Sequence, residues 1–164
     1  MSPTPQEQAQ VAGLPRHVVG VAGVVVDDAG RALLVRRRVP PRWELPGGAL
    51  EVGETVTDGL VREVAEETGL TVAPRRLSGV YQNMTLGPVA LVFVCERLAG
   101  SERTSDETSQ WRWVTRGDLD ALMPPAWAVR VTDALDAWAA MATAESTQPV
   151  PSVPVRVHDG EGLL

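Results

Sequence analysis

Glu63, Glu66 and Glu67 fall three and four residues apart in a stretch whose apolar residues repeat with helical period. On a wheel with Glu63 at zero, Glu66 lies at about 300° and Glu67 at about 40°, so the carboxylates share an arc of about 100°. Like charges so placed repel each other, and a divalent ion relieves the repulsion. A ligand set of hard oxygens without Cys or His selects Mg²⁺ or Mn²⁺ over Zn²⁺. Glu44, Glu51, Glu54 and Asp58 lie close by in sequence, and Arg36, Arg37, Arg38 and Arg42 precede them. An acidic cluster beside a basic one suits a site that holds cations and phosphates together. A solvated surface of mixed charge has the same composition.

The elements that must position these groups follow from local signals. Residues 57–68 read as the helix, with Val56, Leu60, Val61 and Val64 on the face next to the acids and Gly69 as its C-terminal stop. Gly59 falls inside the acid arc, where it leaves the surface open to phosphates or is merely tolerated. Residues 17–26 are apolar and β-branched, a strand buried on both faces. A turn at 27–30 and a strand at 31–37 complete a hairpin. Residues 43–45 are extended, and Pro46-Gly47-Gly48 forms a turn. Further strands are expected at about 76–83, 88–96 and 110–114. Thr115 and Asp118 open a short helix to Leu122. A last helix over 125–141 carries the stripe Trp127, Val131, Leu135 and Trp138, read as core.

The ends differ in composition. Residues 1–15 are rich in Pro, Gln and Ser and are expected to be disordered. Residues 144–164 repeat Pro, Val and Ser, as a flexible tail or an extended arm that packs on a neighbour. The domain proper is 16–143, an α/β (α+β) sandwich with a mixed sheet between helices.

The stretch from Gly48 to Leu70 is similar to the Nudix box, the signature of the Nudix hydrolase family. Gly48 begins it, Glu54 follows after five residues, and Arg62-Glu63 after seven more. Val64, Glu66, Glu67, Gly69 and Leu70 complete it, with every fixed position filled. The resemblance, extended by the WELPGG approach and a late Trp-containing strand, covers residues 17–140. It implies a Nudix-like α/β/α sandwich and a Mg²⁺-dependent pyrophosphohydrolase, with Mn²⁺ able to substitute. The substrate it implies is a nucleoside diphosphate linked to a further moiety: nucleoside triphosphates, ADP-ribose and other nucleotide sugars, or dinucleoside polyphosphates. It assigns Glu66 and Glu67 as principal metal ligands, Glu63 as a further ligand or general base, and the carbonyl of Gly47 as an extra ligand. It gives Glu54 a supporting role and Arg62 the task of holding Glu54 by an ion pair. Glu107, in the loop before the late strand, is a candidate catalytic acid. Gln110 stands where many relatives carry Glu, which puts that loop's share in catalysis in doubt.

Arg36, Arg37, Arg38 and Arg42 can grip phosphates, or form a charged strand end. Trp43, Tyr81 and Phe93 can stack a base, with Trp43 best placed for it; packing is the alternative for Trp43. Among 164 residues there is one cysteine, Cys95, inside an apolar run, so it is expected buried and inert. No internal disulfide is then available, and the N-terminus lacks the basic and apolar regions of a secretory signal. Both favour a reducing cytoplasm. No stretch approaches the ~18 apolar residues of a membrane span. The net charge of −6 argues against nucleic acid as a partner. A small-molecule nucleotide is the expected partner, and a homodimer is compatible with this reading. A non-catalytic nucleotide-sensing module with this fold, or removal of the RNA 5′ end group, are the alternatives.

Overall fold

The computed structural model describes residues 4–143, 153–159 and 161–163. Helix α1 (Pro5–Ala12) leads into strands β1 (Val19–Val25), β2 (Ala32–Arg37), β3 (Arg42–Glu44) and β4 (Gly47–Ala49). Helix α2 (Val56–Thr68) follows, then β5 (Leu70–Asn83), β6 (Val89–Gly100) and β7 (Thr108–Val114). A 3₁₀ turn (Arg116–Asp118) opens α3 (Leu119–Leu122), and α4 (Pro125–Thr143) and β8 (Val155–His158) end the described chain. A mixed five-stranded sheet, in the order β4-β1-β6-β5-β8, lies between α2 and α4, beside an antiparallel sheet in the order β3-β2-β7.

Strand β1 is the axis of the molecule. Val21 and Val25 join Leu60 and Val64 of α2 in one cluster, while Val24 joins Val131 and Leu135 of α4 in the other. This is the two-residue alternation of a strand buried on both faces. Leu33 and Leu34 divide between the same two clusters. Leu60 and Val64 are fully buried, and each such side chain contributes ~1.5–3 kcal/mol, which fixes α2 on the sheet.

The hairpin expected from β1 and β2 is not formed. Both edges of β1 are taken, by β4 antiparallel and by β6 parallel, so β2 meets it only at the bridge Val26–Ala32 and builds a second sheet. The turn expected at Pro46-Gly47-Gly48 is likewise a strand: Gly47–Ala49 is β4, and Pro46 is where the chain passes from the second sheet to the first. Strand β5 starts earlier than Pro74 suggests, because its register shifts between Pro74 and Arg76 and accommodates the missing N–H. Trp127 and Trp138 are half-buried against the cluster that contains Val131 and Leu135.

Both ends carry structure that composition concealed. Residues 5–12 form a helix, with Pro at its first position and Gln, Glu and Ala after it, all compatible with helix. Residues 8–18 are nonetheless exposed throughout. Removing residues 1–15 is expected to change the unfolding free energy by no more than ~0.5 kcal/mol, measured by denaturant titration. A larger loss would show that the helix docks on the domain. At the other end, β8 pairs in parallel with β5, from Val80–Val155 to Asn83–His158, in place of a flexible tail. Residues 144–152, 160 and 164 of the expected tail lie outside the described residues.

Candidate active site

Helix α2 begins at Thr55, whose hydroxyl accepts from the Asp58 N–H (3.1 Å), and ends at Gly69, whose φ of 77° makes it the left-handed cap. Between these stops the helix presents its acids beside β4. The Arg62 guanidinium donates twice to Glu54, from Nη2 to Oε1 (2.8 Å) and from Nε to Oε2 (3.1 Å). This is the bidentate pair expected for them, and it holds the Glu54 carboxyl below the usual range. Arg62 Nη1 also donates to Glu63 (2.9 Å) and, at longer range, to Glu66 (3.4 Å). The acid arc therefore has an internal counter-charge beside any divalent ion. Arg62 lies just outside the arc, and its long stem carries the fork into it.

Glu63 is pushed above its ordinary pKa by burial, an effect that Arg62 opposes. It lies over Gly48, where an added Cβ would come 2.5 Å from the carboxylate. Gly59 plays a similar part: the space above it is filled by Leu50 and by the Glu54 carboxylate, each 2.7 Å from where a Cβ would stand, instead of being left for phosphates. The glycine lets the loop before α2 seat against the helix. Glu67 is the most enclosed acid of the three, 4% exposed, and its Oε2 accepts the Gly47 N–H (2.9 Å). Burial raises its pKa to about 7. Its backbone carbonyl accepts from the Thr108 hydroxyl (3.0 Å), which joins α2 to β7.

Around this core the arginines separate. Arg37 reaches both the buried Glu44 (3.3 Å) and the exposed Glu107 (3.2 Å), and Arg42 donates to Glu44 (2.7 Å). Arg38 donates to the Ser105 carbonyl (3.2 and 3.3 Å). Arg36 alternates with Arg37 along β2, so it faces the other side of the strand. Two depressions flank Gly47 and Glu67. One is a largely apolar cleft of about 310 Å³, walled by Val21, Leu45, Tyr81, Met123, Trp127 and Arg130, with Gly47 and Gly48 at its edge. The other is a wider polar groove containing Glu66, Glu67 and Glu107, with Arg38 and Arg103 on its sides. Trp43 packs against the core and Phe93 against the α2 cluster, and neither lines the cleft. Tyr81 lines it but is fully buried, its hydroxyl donating to Asp133 (2.8 Å). The half-exposed aromatic there is Trp127, read from the sequence as core. Arg37, Arg42 and Glu44 also line the cleft, Glu44 having been read only as one of the acidic cluster, and no local pattern singled out Arg103 or Arg130. Gln110 is exposed and lies opposite Arg36. Cys95 is buried, and burial pushes its thiol up to about 12, as expected of an inert residue.

The model of the NUDIX domain matches residues 16–135. A MutT-like protein of Streptomyces ambofaciens is 45% identical over 150 residues, covering 92% of this chain and 89% of its own. An ADP-ribose pyrophosphatase of Methanocaldococcus jannaschii is 32% identical over 111 residues, 63% of this chain and 65% of its own. A Bacillus subtilis protein provisionally named as an 8-oxo-dGTP diphosphatase is 33% identical over 111 residues, 66% of this chain and 74% of its own. Among solved structures, an ADP-ribose pyrophosphatase from Streptococcus suis shares the fold, with a TM-score of 0.66 at 22% identity over 85% of this chain and 99% of its own. The chain belongs to the Nudix family. Within it the protein is a hydrolase of the pyrophosphohydrolase kind, a group that generally uses divalent metal ions. No helix among the described residues is long and apolar enough to cross a membrane.

Proposed function

We propose that the protein hydrolyses the diphosphate of a nucleoside diphosphate derivative with Mg²⁺, and that Mn²⁺ can replace Mg²⁺. The observation that carries this reading is the position of Glu67: a buried carboxylate on the acid face of α2, tied to Gly47 where the apolar cleft meets the arginine-flanked groove. Among the described residues no three acid or imidazole side chains already converge as a closed ligand set, because Glu63 and Glu66 turn toward Arg62. The donor chemistry nevertheless fits. All the groups are hard oxygens, and the Glu66 side chain, 59% exposed with a long bond to Arg62, has room to turn.

In this reading Glu63, Glu66, Glu67 and the Gly47 carbonyl hold the ion. When bound it supplies charge neutralisation at the phosphoryl oxygens and an activated water. Arg62 keeps Glu54 in place against α2. Glu63 takes the proton from the attacking water, with Glu107 across the groove as the other carboxylate within the site. The cleft takes the nucleoside, and Arg38 and Arg103 face the departing phosphate side. Hydrolysis then separates a nucleoside monophosphate from the remainder of the substrate.

A panel of nucleoside triphosphates, ADP-ribose, nucleotide sugars and dinucleoside polyphosphates, incubated with Mg²⁺, tests this reading. The expected result is release of a nucleoside monophosphate from at least one class, read as products by chromatography. Absence of turnover on every diphosphate-containing compound would overturn it.

A further inference from the structure

The apolar cleft contains a buried cation that the proposed hydrolysis does not use. Arg130, on α4, is 8% exposed, with its guanidinium 4.4 Å from the Trp127 ring centroid and 5.5 Å from that of Tyr81. Its Nη2 bonds to His158 Nε2 (3.0 Å), and its Nε–H meets no acceptor among the described residues. Burial lowers its pKa to about 10, so it stays charged at neutral pH. A buried donor left without an acceptor is costly. An Arg whose flat faces lie against aromatic rings has only its N–H edge left for recognition.

We propose, building on the reading above, that Arg130 recognises the nucleobase in this cleft by donating to a ring carbonyl, as guanine presents and adenine does not, and that His158 positions it. Val21, Leu45 and Met123 give the cleft apolar surface for a base, and Arg37 and Arg42, which also line it, are paired with Glu44, while Arg38 and Arg103 lie in the neighbouring groove. Guanine offers O6 and N7 as acceptors to an arginine fork; adenine places an amino donor where O6 would be, so two donors would face each other.

His158 comes from β8, beyond the family match that ends at residue 135. A guanidinium only donates, so His158 Nε2 accepts and the neutral ring carries its proton on Nδ1. The same segment steadies the cleft at three further points. The Met84 N–H donates to the His158 carbonyl (2.8 Å), fixing the loop that bears Leu86 and Pro88. The Ala126 N–H donates to the Glu161 carbonyl (3.1 Å), fixing the start of α4. Arg156 donates twice to Asp133 (2.6 Å each), the acceptor of the Tyr81 hydroxyl.

Calorimetric binding of GMP and AMP to the full chain, without added metal, reads the cleft independently of turnover. GMP is expected to bind ~10–100-fold more tightly than AMP. Arg130→Met, which keeps volume and removes the fork, should abolish that preference. His158→Gln, which keeps an acceptor near Nε2, should retain most of it, and His158→Leu should lose it. In turnover, the Arg130 effect should fall on KM for GTP with kcat preserved within a few-fold. Equal binding of GMP and AMP, absence of GMP binding, or a preference that survives Arg130→Met in a folded protein would overturn the proposal. A chain that binds GMP selectively but cleaves no nucleotide would refute the hydrolytic reading and leave the recognition intact.

Discussion

Glu67→Gln is expected to lower kcat by about 10²–10⁴-fold, and excess chelator should stop the unmodified protein altogether. The basis is the geometry around one carboxylate. Glu67 is buried, and its hydrogen bond runs from the Gly47 N–H. An amide at this position can still accept that N–H through its oxygen, so the link between α2 and β4 survives. What disappears is a negative charge, already disfavoured there by burial. The melting temperature should therefore stay constant or rise while activity falls, and that combination separates loss of a metal ligand from loss of fold. Glu66→Gln should act similarly on rate. Near-normal turnover by both variants, or full turnover in excess chelator, would remove the metal site from α2. Steady-state kinetics beside thermal melts of the same preparations make the measurement.

Arg62→Lys is expected to be a severe change for a substitution that keeps the charge, with a rate loss of roughly 10–100-fold, the range seen when groups supporting metal ligands are altered. Arg62 contacts Glu54 through two parallel bonds and reaches Glu63 and Glu66 with its remaining nitrogen. An ammonium has no planar fork and cannot serve all three. Glu54→Gln removes the other half of the bidentate pair. If the pair acts as a unit, the double variant should be little slower than the slower single variant. Mg²⁺ should still bind, through Glu66 and Glu67. Losses that multiply would show that Arg62 and Glu54 serve the site separately.

The site's central helix was legible because its instructions are local. Gly69 stops it, Leu60 and Val64 give its buried face, and the acids share one arc whatever the rest of the chain does; only its cap, Thr55, came from the structure. The sheets were harder to read, since strand partners depend on distant residues. The segment before Asp27 and the one after Gly30 look like a hairpin, yet both edges of β1 are taken, by Gly47–Ala49 and Val89–Gly100. The cleft was hidden for the same reason. Trp127 falls on a helix stripe that also contains Val131, so periodicity reads it as core, and only the fold shows that one side faces a cavity. His158 sits in a Pro- and Val-rich segment whose valines favour extended backbone but whose partner, β5, is distant in sequence. Glu44, between Arg37 and Arg42, was visible as a charge but not as a buried one.

Strand β1, paired on both edges and covered on both faces, also has a dynamic consequence. Amide protons exchange last where opening requires the most packing to be given up, and β1 with the helix resting on it belongs to that slowest unit. The Glu67–Gly47 contact joins that helix to β4, an edge strand of the same sheet. The wall around Arg130 includes Val21 of β1, while its partner His158 comes from the opposite edge strand, β8. On the proposed assignments, both the acid contact and the support of the base-reading arginine therefore hang on edge strands of one sheet whose centre opens last.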